Sequence, residues 1–172
     1  MRAGKLSAMI LAAAFMAGTA GAQVPRGFTP QGADQQRLEN NTSLSSKLYN
    51  DGVDAVKAKN FQVAEGIFEQ VLRQNPTHPD GNLMMGTTKM SLGKWEEAKK
   101  YLEVAVRKNA KSPDPKSRLA VTLIKLGDMD GAMKQRADLQ KMSDDCKAKC
   151  RNAEWIAAGL AMVDGAMPPK QP

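Results

Sequence analysis

Two stretches of the chain, NFQVAEGIFEQVLRQNP (Asn60–Pro76) and KWEEAKKYLEVAVRKNA (Lys94–Ala110), carry the same residue pattern 34 positions apart. Each has an aromatic residue at its second position, Ala at its fifth, a large apolar residue at its ninth and Asn at its sixteenth. A pattern that recurs at a fixed period of about 20–50 residues indicates an array of similar supersecondary units stacked on one another.

The period of 34 holds in four columns of aligned positions. Two columns contain small residues, as expected where helices approach closely, and a third contains bulky residues at the start of the second helix of each unit. The fourth falls at a bend between two helices, where a left-handed residue ends the first one. The small columns are Gly52, Gly86 and Ala120, and Ala64, Ala98 and Ala132; the bulky column is Phe61, Trp95 and Met129; the bend column is Lys59, Gly93 and Gly127.

Apolar residues recur at three- and four-residue steps in both halves of each unit, which is the period of a helix. No run alternates β-branched with polar residues, so strands are not expected. Prolines stand between the units, where a helix must stop or start. One helix pair cannot bury its apolar faces alone, whereas stacked pairs bury them against each other. The sequence therefore predicts an all-α fold with two helices per unit.

This pattern resembles the tetratricopeptide repeat (TPR) over about Ser45–Cys146, in three copies. The resemblance implies an α-solenoid of three helix pairs. The segment Lys147–Val163 resembles the extra helix that closes such arrays, with apolar residues at helical spacing. The third copy departs from the family, because Arg136 stands where a large apolar residue is usual and Ala120 replaces the glycine. The apolar residues of the closing segment are Trp155, Ile156, Leu160 and Met162.

The first 22 residues have the features of a cleaved secretory signal. Arg2 and Lys5 precede an apolar run, Leu6–Ala17, which is too short to span a bilayer, and Ala20–Ala22 fits the small-x-small pattern of a cleavage site. We expect a flexible arm over residues 23–42, the repeat domain with its capping helix over 43–166, and a disordered tail over 167–172. A signal of this length suits a bacterial envelope protein, so the expected location is the periplasm, with secretion as the alternative.

The sequence contains no recognised catalytic motif, so we do not expect an enzyme, and we predict no cofactor and no metal. Its single histidine, His78, falls in a bend between units. Seven basic residues crowd the second unit among glutamates at ion-pairing steps, which favours a solvated face; a basic patch for acidic partners or anionic lipid is the alternative. Nucleic acid is not an expected partner. The basic residues are Lys89, Lys94, Lys99, Lys100, Arg107, Lys108 and Lys111.

Cys146 and Cys150 occur in the sequence CKAKC, which matches neither haem-attachment nor redox CxxC spacing. In an oxidising compartment two nearby thiols form a disulfide more often than not. Residues four apart on a regular helix have Cβ atoms about 5–6 Å apart, farther than the about 3.5–4.5 Å of a disulfide. A disulfide here therefore requires a bend; two free thiols, or intermolecular or redox use, are the alternatives.

The TPR resemblance implies a concave groove lined by the first helix of each pair. The basic and amide residues that grip a C-terminal carboxylate in chaperone-binding TPR proteins are missing here except at Arg118, so that activity is not expected. We predict a protein or peptide partner with an apolar or amphipathic segment, an envelope adaptor function, and self-association as the alternative. We also predict that the arm, through Phe28 and Leu38, rests in or near the groove. The predicted groove residues are Tyr49, Val53, Val56, Leu83, Thr87, Met90, Val121 and Ile124.

Overall fold

The computed structural model describes residues 30–147 and 149–169, with side chains from Leu44 onward. All regular elements in these residues are helices, which confirms the predicted all-α class. The helices are α1 (Pro30–Lys57), α2 (Phe61–Gln74), α3 (Pro79–Ser91), α4 (Trp95–Lys108), α5 (Pro113–Lys125), α6 (Met129–Cys146) and α7 (Ala153–Ala166).

The chain divides into two units, residues 1–37 and residues 38–172. Of the first unit, only residues 30–37 are described, and they are helical. In the second unit α3 packs on α4 and α5 on α6 as pairs, successive pairs pack through α2 with α3 and α4 with α5, and α7 covers α5 and α6. This is the stacked arrangement of helix pairs that the repeat pattern predicts.

Left-handed residues make the bends within the three pairs. Gly93 and Gly127 have φ values of +72° and +80°, where glycine meets no steric penalty from a Cβ atom. Lys59 occupies the same place in the first pair with φ +59°, a conformation that is uncommon for a residue with a side chain. Each bend returns the chain so that the second helix runs back along the first, as the bend column of the sequence predicts.

The helices that open the second and third units begin at a proline. Pro79 and Pro113 stand at the first helical positions of α3 and α5, where a missing N–H leaves nothing unsatisfied. His78 caps α3, because its Nδ1 accepts a hydrogen bond from the backbone N–H of Gly81 at 2.9 Å. The single histidine of the chain therefore has a structural role that the sequence analysis did not find.

Small residues allow close helix contact in the first two pairs. A Cβ atom added at Gly52 would lie 2.8 Å from the ring of Phe68, and one at Gly86 would lie 2.6 Å from Cγ of Leu102. Both distances are well inside ordinary carbon–carbon contact of about 3.5–4.0 Å. The buried side chains of Phe68 and Leu102 thus fill the space above the two glycines.

The third pair has different residues, and different contacts, at the positions equivalent to this glycine and this large side chain. Ala120 occupies the glycine position, and Arg136 stands where Phe68 and Leu102 stand in the earlier copies. Arg136 forms a double hydrogen bond with Asp164 of α7, Nε to Oδ1 at 2.6 Å and Nη2 to Oδ2 at 3.1 Å. Ala120 instead packs in a buried cluster with Leu139 and with Val163 of α7. Both departures from the repeat pattern therefore involve contacts with α7.

Two expectations about the ends of the domain need correction. Residues 30–42, assigned to a flexible arm, belong to α1; Pro30 suits a first helical turn, and the segment that follows is rich in Ala, Gln, Arg, Leu and Glu, which favour helix. Of the apolar residues expected to seal the array, Ile156 is buried and Leu160 packs against a buried cluster, whereas Trp155 and Met162 are exposed on α7; Gly159 and Val163 are buried as well.

The predicted signal at residues 1–22, the arm residues 23–29 with Phe28, and residues 170–172 of the tail lie outside the described residues. No helix among the described residues combines the length and the apolar character that a membrane span requires.

Candidate partner-binding groove

The structure places the predicted groove residues on the first helices of the three pairs. Each side chain is half-buried, so each packs on one side and is open to solvent on another. The hydroxyl of Thr87 donates to the backbone carbonyl of Leu83 at 2.8 Å and is satisfied within its own helix. The groove residues are Tyr49, Val53 and Val56 on α1, Leu83, Thr87 and Met90 on α3, and Val121 and Ile124 on α5.

These side chains also stabilise the repeat array. The α1 residues pack against the buried cluster of the first pair, which contains Phe68 and Met85. Leu83, Met90 and Ile124 pack against the cluster of the second and third pairs. A partner would therefore contact an apolar surface whose side chains are fixed by packing against the core. That these residues form the binding site stays a prediction.

Tyr49 stands at the α1 end of the groove, between an aromatic ring and a loop. Its ring meets Phe68 edge-on with centroids 6.0 Å apart, and lies 5.9 Å from the ring of His78. Burial, and then the negative charge of Asp80, raise the pKa of the Tyr49 hydroxyl. The phenol is thus neutral at ordinary pH, and its ring packs against the rings of Phe68 and His78.

A cavity of about 400 Å³ opens where the groove meets the start of α7. Leu83 of α3 and Trp155 of α7 supply its large apolar side chains, and Trp155 is 65% exposed. Helical spacing in the sequence predicts that Trp155 lies on a capping helix, but it does not show which face of that helix is buried. The remaining lining residues are Asn109, Lys111, Ser112, Pro113, Asp114 and Asn152.

Lys89 of α3 is the buried centre of an ionic cluster that joins α2, α3 and α4. Its side chain is only 5% exposed and bridges two carboxylates, Glu65 of α2 at 2.5 Å and Glu97 of α4. Lys94 also donates to Glu65, at 3.0 Å. The expectation that Lys89 belongs to a solvated face is wrong for this residue, because its two partners come from different helices that only the fold brings together.

The cluster shifts the ionisation of its members. The hydrogen bond from Lys89 lowers the pKa of Glu65, against the opposing effect of burial and with help from Lys94. Burial acts to lower the pKa of Lys89, but its hydrogen bonds and attraction to Glu65 and Glu97 outweigh burial and raise it. Each group therefore favours the charged form of the others, and α2, α3 and α4 are tied together.

Cys146 and Cys150 lie at the turn between α6 and α7. Helix α6 ends at Cys146, and Lys147 adopts a left-handed conformation with φ +47°. This bend brings the Cα atoms to 5.2 Å and the Sγ atoms to 2.01 Å, within disulfide geometry. The bend that a disulfide requires is present at Lys147, between the end of α6 and the start of α7 at Ala153.

No metal-ligand cluster occurs among the described residues. Stacked helix pairs with a groove along their first helices define an α-solenoid of short helical repeats. A model of the family described as "Tetratricopeptide repeat" matches residues 55–117 and again residues 90–149, together more than half of the chain. The chain therefore belongs to the tetratricopeptide repeat family. A search of curated protein sequences found no match.

Several solved structures have a similar fold. PcrH from Pseudomonas aeruginosa, in complex with the chaperone binding region of PopB, is 23% identical over 70% of this chain and 94% of PcrH, with TM-score 0.61. The Yersinia enterocolitica type III secretion chaperone SycD, in complex with a peptide of the translocator YopD, is 15% identical over 70% of this chain and 90% of SycD, with TM-score 0.58. A T3SS complex from Aeromonas hydrophila is 21% identical over 75% of this chain and 85% of that chain, with TM-score 0.65. These TM-scores show that the structures share the fold of this chain.

Proposed function

We propose that the chain is a non-catalytic protein–protein interaction module, an adaptor or assembly factor. Its groove would hold an apolar or amphipathic segment of an envelope protein. The observation that carries the proposal is the row of half-buried apolar side chains that α1, α3 and α5 contribute from equivalent repeat positions. Apolar side chains that pack from behind and remain partly open suit the apolar face of a partner segment. Met90 adds an adaptable contact.

Two of the similar structures support this proposal by what they contain. PcrH was crystallised with the chaperone binding region of PopB, and SycD with a peptide of YopD. The fold shared with this chain is thus compatible with binding a segment of another protein. The partner of this chain is not inferred from those names, and we describe it only by its apolar or amphipathic character.

We propose the periplasm as the compartment. The basic start and apolar run within residues 1–22 have the features of an export signal. The paired arrangement of Cys146 and Cys150 supports an oxidising location, because disulfides persist there and are rare in reducing compartments. Intact mass of the protein recovered from an envelope fraction tests this proposal: loss of residues 1–22 supports export, and their retention contradicts it.

A substitution in the groove tests the binding proposal. Leu83→Asp places a charge where a partner would exclude water, which costs several kcal/mol without a compensating contact. Val63→Asp is the control, because Val63 lies 58% exposed on α2 outside the groove. Both variants and the parent chain are used as bait in crosslinking from envelope extract, after circular dichroism has verified that each is folded. Loss of captured partner in Leu83→Asp alone supports the groove, and equal capture by all three chains contradicts it.

Self-association is the second candidate, and exposed apolar side chains on the last two helices favour it. Met133 of α6 is 51% exposed and Met162 of α7 is 40% exposed. Light scattering over a range of protein concentrations separates the candidates. A monomer at every concentration supports the adaptor, whereas a mass that doubles with concentration and reverts in Met162→Glu supports assembly of copies.

A further inference from the structure

The corner where the groove meets α7 combines an exposed aromatic residue with unpaired positive charge. Trp155 and Leu83 both line the cavity, and Asn109 and Lys111 reach it from the end of the second repeat. Asn152 reaches it from the turn before α7. Residues that are distant in sequence, Asn109 and Lys111 on one side and Asn152 on the other, therefore line one opening.

The two chain segments that contain or adjoin these residues are basic. The sequences RKNAK at 107–111 and KAKCR at 147–151 contain six cations and no acid. All six side chains are exposed, and none of them forms an ion pair within the described residues, where nine other lysines and arginines do. The six cations are Arg107, Lys108, Lys111, Lys147, Lys149 and Arg151.

The acids near this opening do not neutralise it. Asp114 lines the cavity but is already bound to Arg118, whose Nε lies 2.8 Å from Oδ1. Glu154 is exposed in the first turn of α7 and takes no part in an ion pair among the described residues. Lys111 therefore lines the cavity as a cation without an ion pair among the described residues, and Lys108 and Arg151, which neighbour the lining residues Asn109 and Asn152 in the chain, are also exposed and form none there. We therefore expect a positive potential at this opening, which attracts acidic groups.

We propose that this corner is an anchor site for a partner segment in which a large apolar side chain is flanked by Asp or Glu. The apolar side chain enters between Trp155 and Leu83, and the flanking carboxylates meet the two basic segments. The side-chain amides of Asn109 and Asn152 at the cavity offer hydrogen bonds to a peptide backbone. The inference rests on the proposed function and adds to it the charge pattern of the partner and a binding role for Trp155.

An anionic membrane surface is the competing ligand for basic residues beside an exposed tryptophan. The cavity and the two amides that line it favour a peptide, because a flat bilayer would leave both unused. An experiment distinguishes the two ligands. If the site binds a peptide, a monomeric peptide should bind the chain in solution. The same peptide should displace the chain from vesicles made of equal parts phosphatidylserine and phosphatidylcholine.

The test is selection of short random peptides, displayed on phage, against the purified full chain. Selected peptides should carry Trp, Phe or Leu flanked by Asp or Glu, and a synthetic copy should bind more weakly as salt rises. Trp155→Ala should weaken that peptide at least about tenfold, as expected for a tryptophan anchor. The double variant Lys111→Glu with Arg151→Glu should select Lys- or Arg-flanked peptides instead. Lys100→Glu with Lys134→Glu, at exposed lysines on α4 and α6, should keep the preference for acidic flanks.

Three results would overturn the inference: peptides selected without charge preference, unchanged affinity in Trp155→Ala, or vesicle binding that the selected peptide does not compete away. The proposed function is tested separately by Val121→Asp, because Val121 is a groove residue on α5 that does not line the anchor cavity. If Val121→Asp abolished peptide binding while Trp155→Ala left it unchanged, the groove would stand without the anchor. Normal binding in Val121→Asp and Leu83→Asp alike would contradict the groove itself.

Discussion

Gly86 provides the sharpest test of how the repeats pack. Replacement by Ala adds one carbon atom, which would lie 2.6 Å from Cγ and 2.8 Å from Cδ2 of Leu102, and 3.4 Å from the carbonyl oxygen of Ala98. The overlap with the leucine is about 1 Å relative to ordinary contact. Leu102 is fully buried among other core residues, so it has little room to move away.

The expected change in the free energy of unfolding has two parts. Overpacking of a core costs about 1–3 kcal/mol, and replacing glycine by alanine inside a helix returns about 1 kcal/mol. The net destabilisation by Gly86→Ala should therefore be about 0–2 kcal/mol. Gly66→Ala is the matched control, because Gly66 lies in the middle of α2 and an added Cβ atom there has nothing within 4 Å. That variant should gain about 1 kcal/mol, so the two should differ by about 1–3 kcal/mol.

Thermal unfolding followed by circular dichroism at 222 nm, a helix signal, measures both variants against the parent chain. Each kcal/mol should shift the midpoint by about 2–4 °C in a domain of this size, upward for Gly66→Ala and downward or not at all for Gly86→Ala. In the Gly86→Ala background, Leu102→Ala should be less destabilising than it is alone, because it also removes the clash. Equal stabilisation by both alanines would refute the close contact.

Three further predictions concern the ties between helices. The pKa of Glu65 is lowered from its ordinary value of 4.5, so the charged carboxylate stabilises the fold above that value and this stabilisation is lost as pH falls through the lowered pKa. Glu65→Gln should therefore cost about 1–3 kcal/mol near neutral pH. In denaturant titrations at several pH values, the variant should lose less stability than the parent chain as the pH is lowered. Arg136→Ala should cost only about 0.5–1 kcal/mol, because the pair with Asp164 is partly exposed, yet it should speed hydrogen exchange in α7 more than in α3. The two cysteines should yield no free thiol when protein recovered from an oxidising compartment is denatured without reductant; two titratable thiols would reject this. Reduction should cost at most about 2 kcal/mol for so short a loop and should loosen α7 while the repeats stay folded.

Most of the fold could be predicted from the repeat columns because they report local geometry. A small residue such as Gly86 opposite a large one such as Leu102 is recorded in the sequence itself, once the period of 34 aligns the copies. The changes at Ala120 and Arg136 were visible only as two separate departures. What the two residues share is contact with α7, through Val163 for Ala120 and through Asp164 for Arg136, and both partners lie outside the repeat pattern.

The candidate site could be predicted less completely. Helix periodicity indicates which residues share a face, and this placed the groove residues on the first helices of the pairs. The burial of Lys89 depends on Glu65 and Glu97, carboxylates of two other helices, and a crowded run of lysines gives no sign of it. The exposure of Trp155 depends on which face of α7 meets α5, and both faces of that helix are apolar enough to serve.

Site-specific photocrosslinking tests the central claim, that the groove binds a segment of another protein, most directly. A photoreactive amino acid replaces Thr87, which lies half-buried on α3 in the middle of the groove, and in a second chain it replaces Lys100, which is exposed on α4. Both chains are expressed in cells, illuminated and recovered from the envelope fraction. We predict a crosslinked adduct to a different protein at position 87 and none at position 100. Adducts of equal yield at both positions, or no adduct at position 87 in a folded chain, would contradict it.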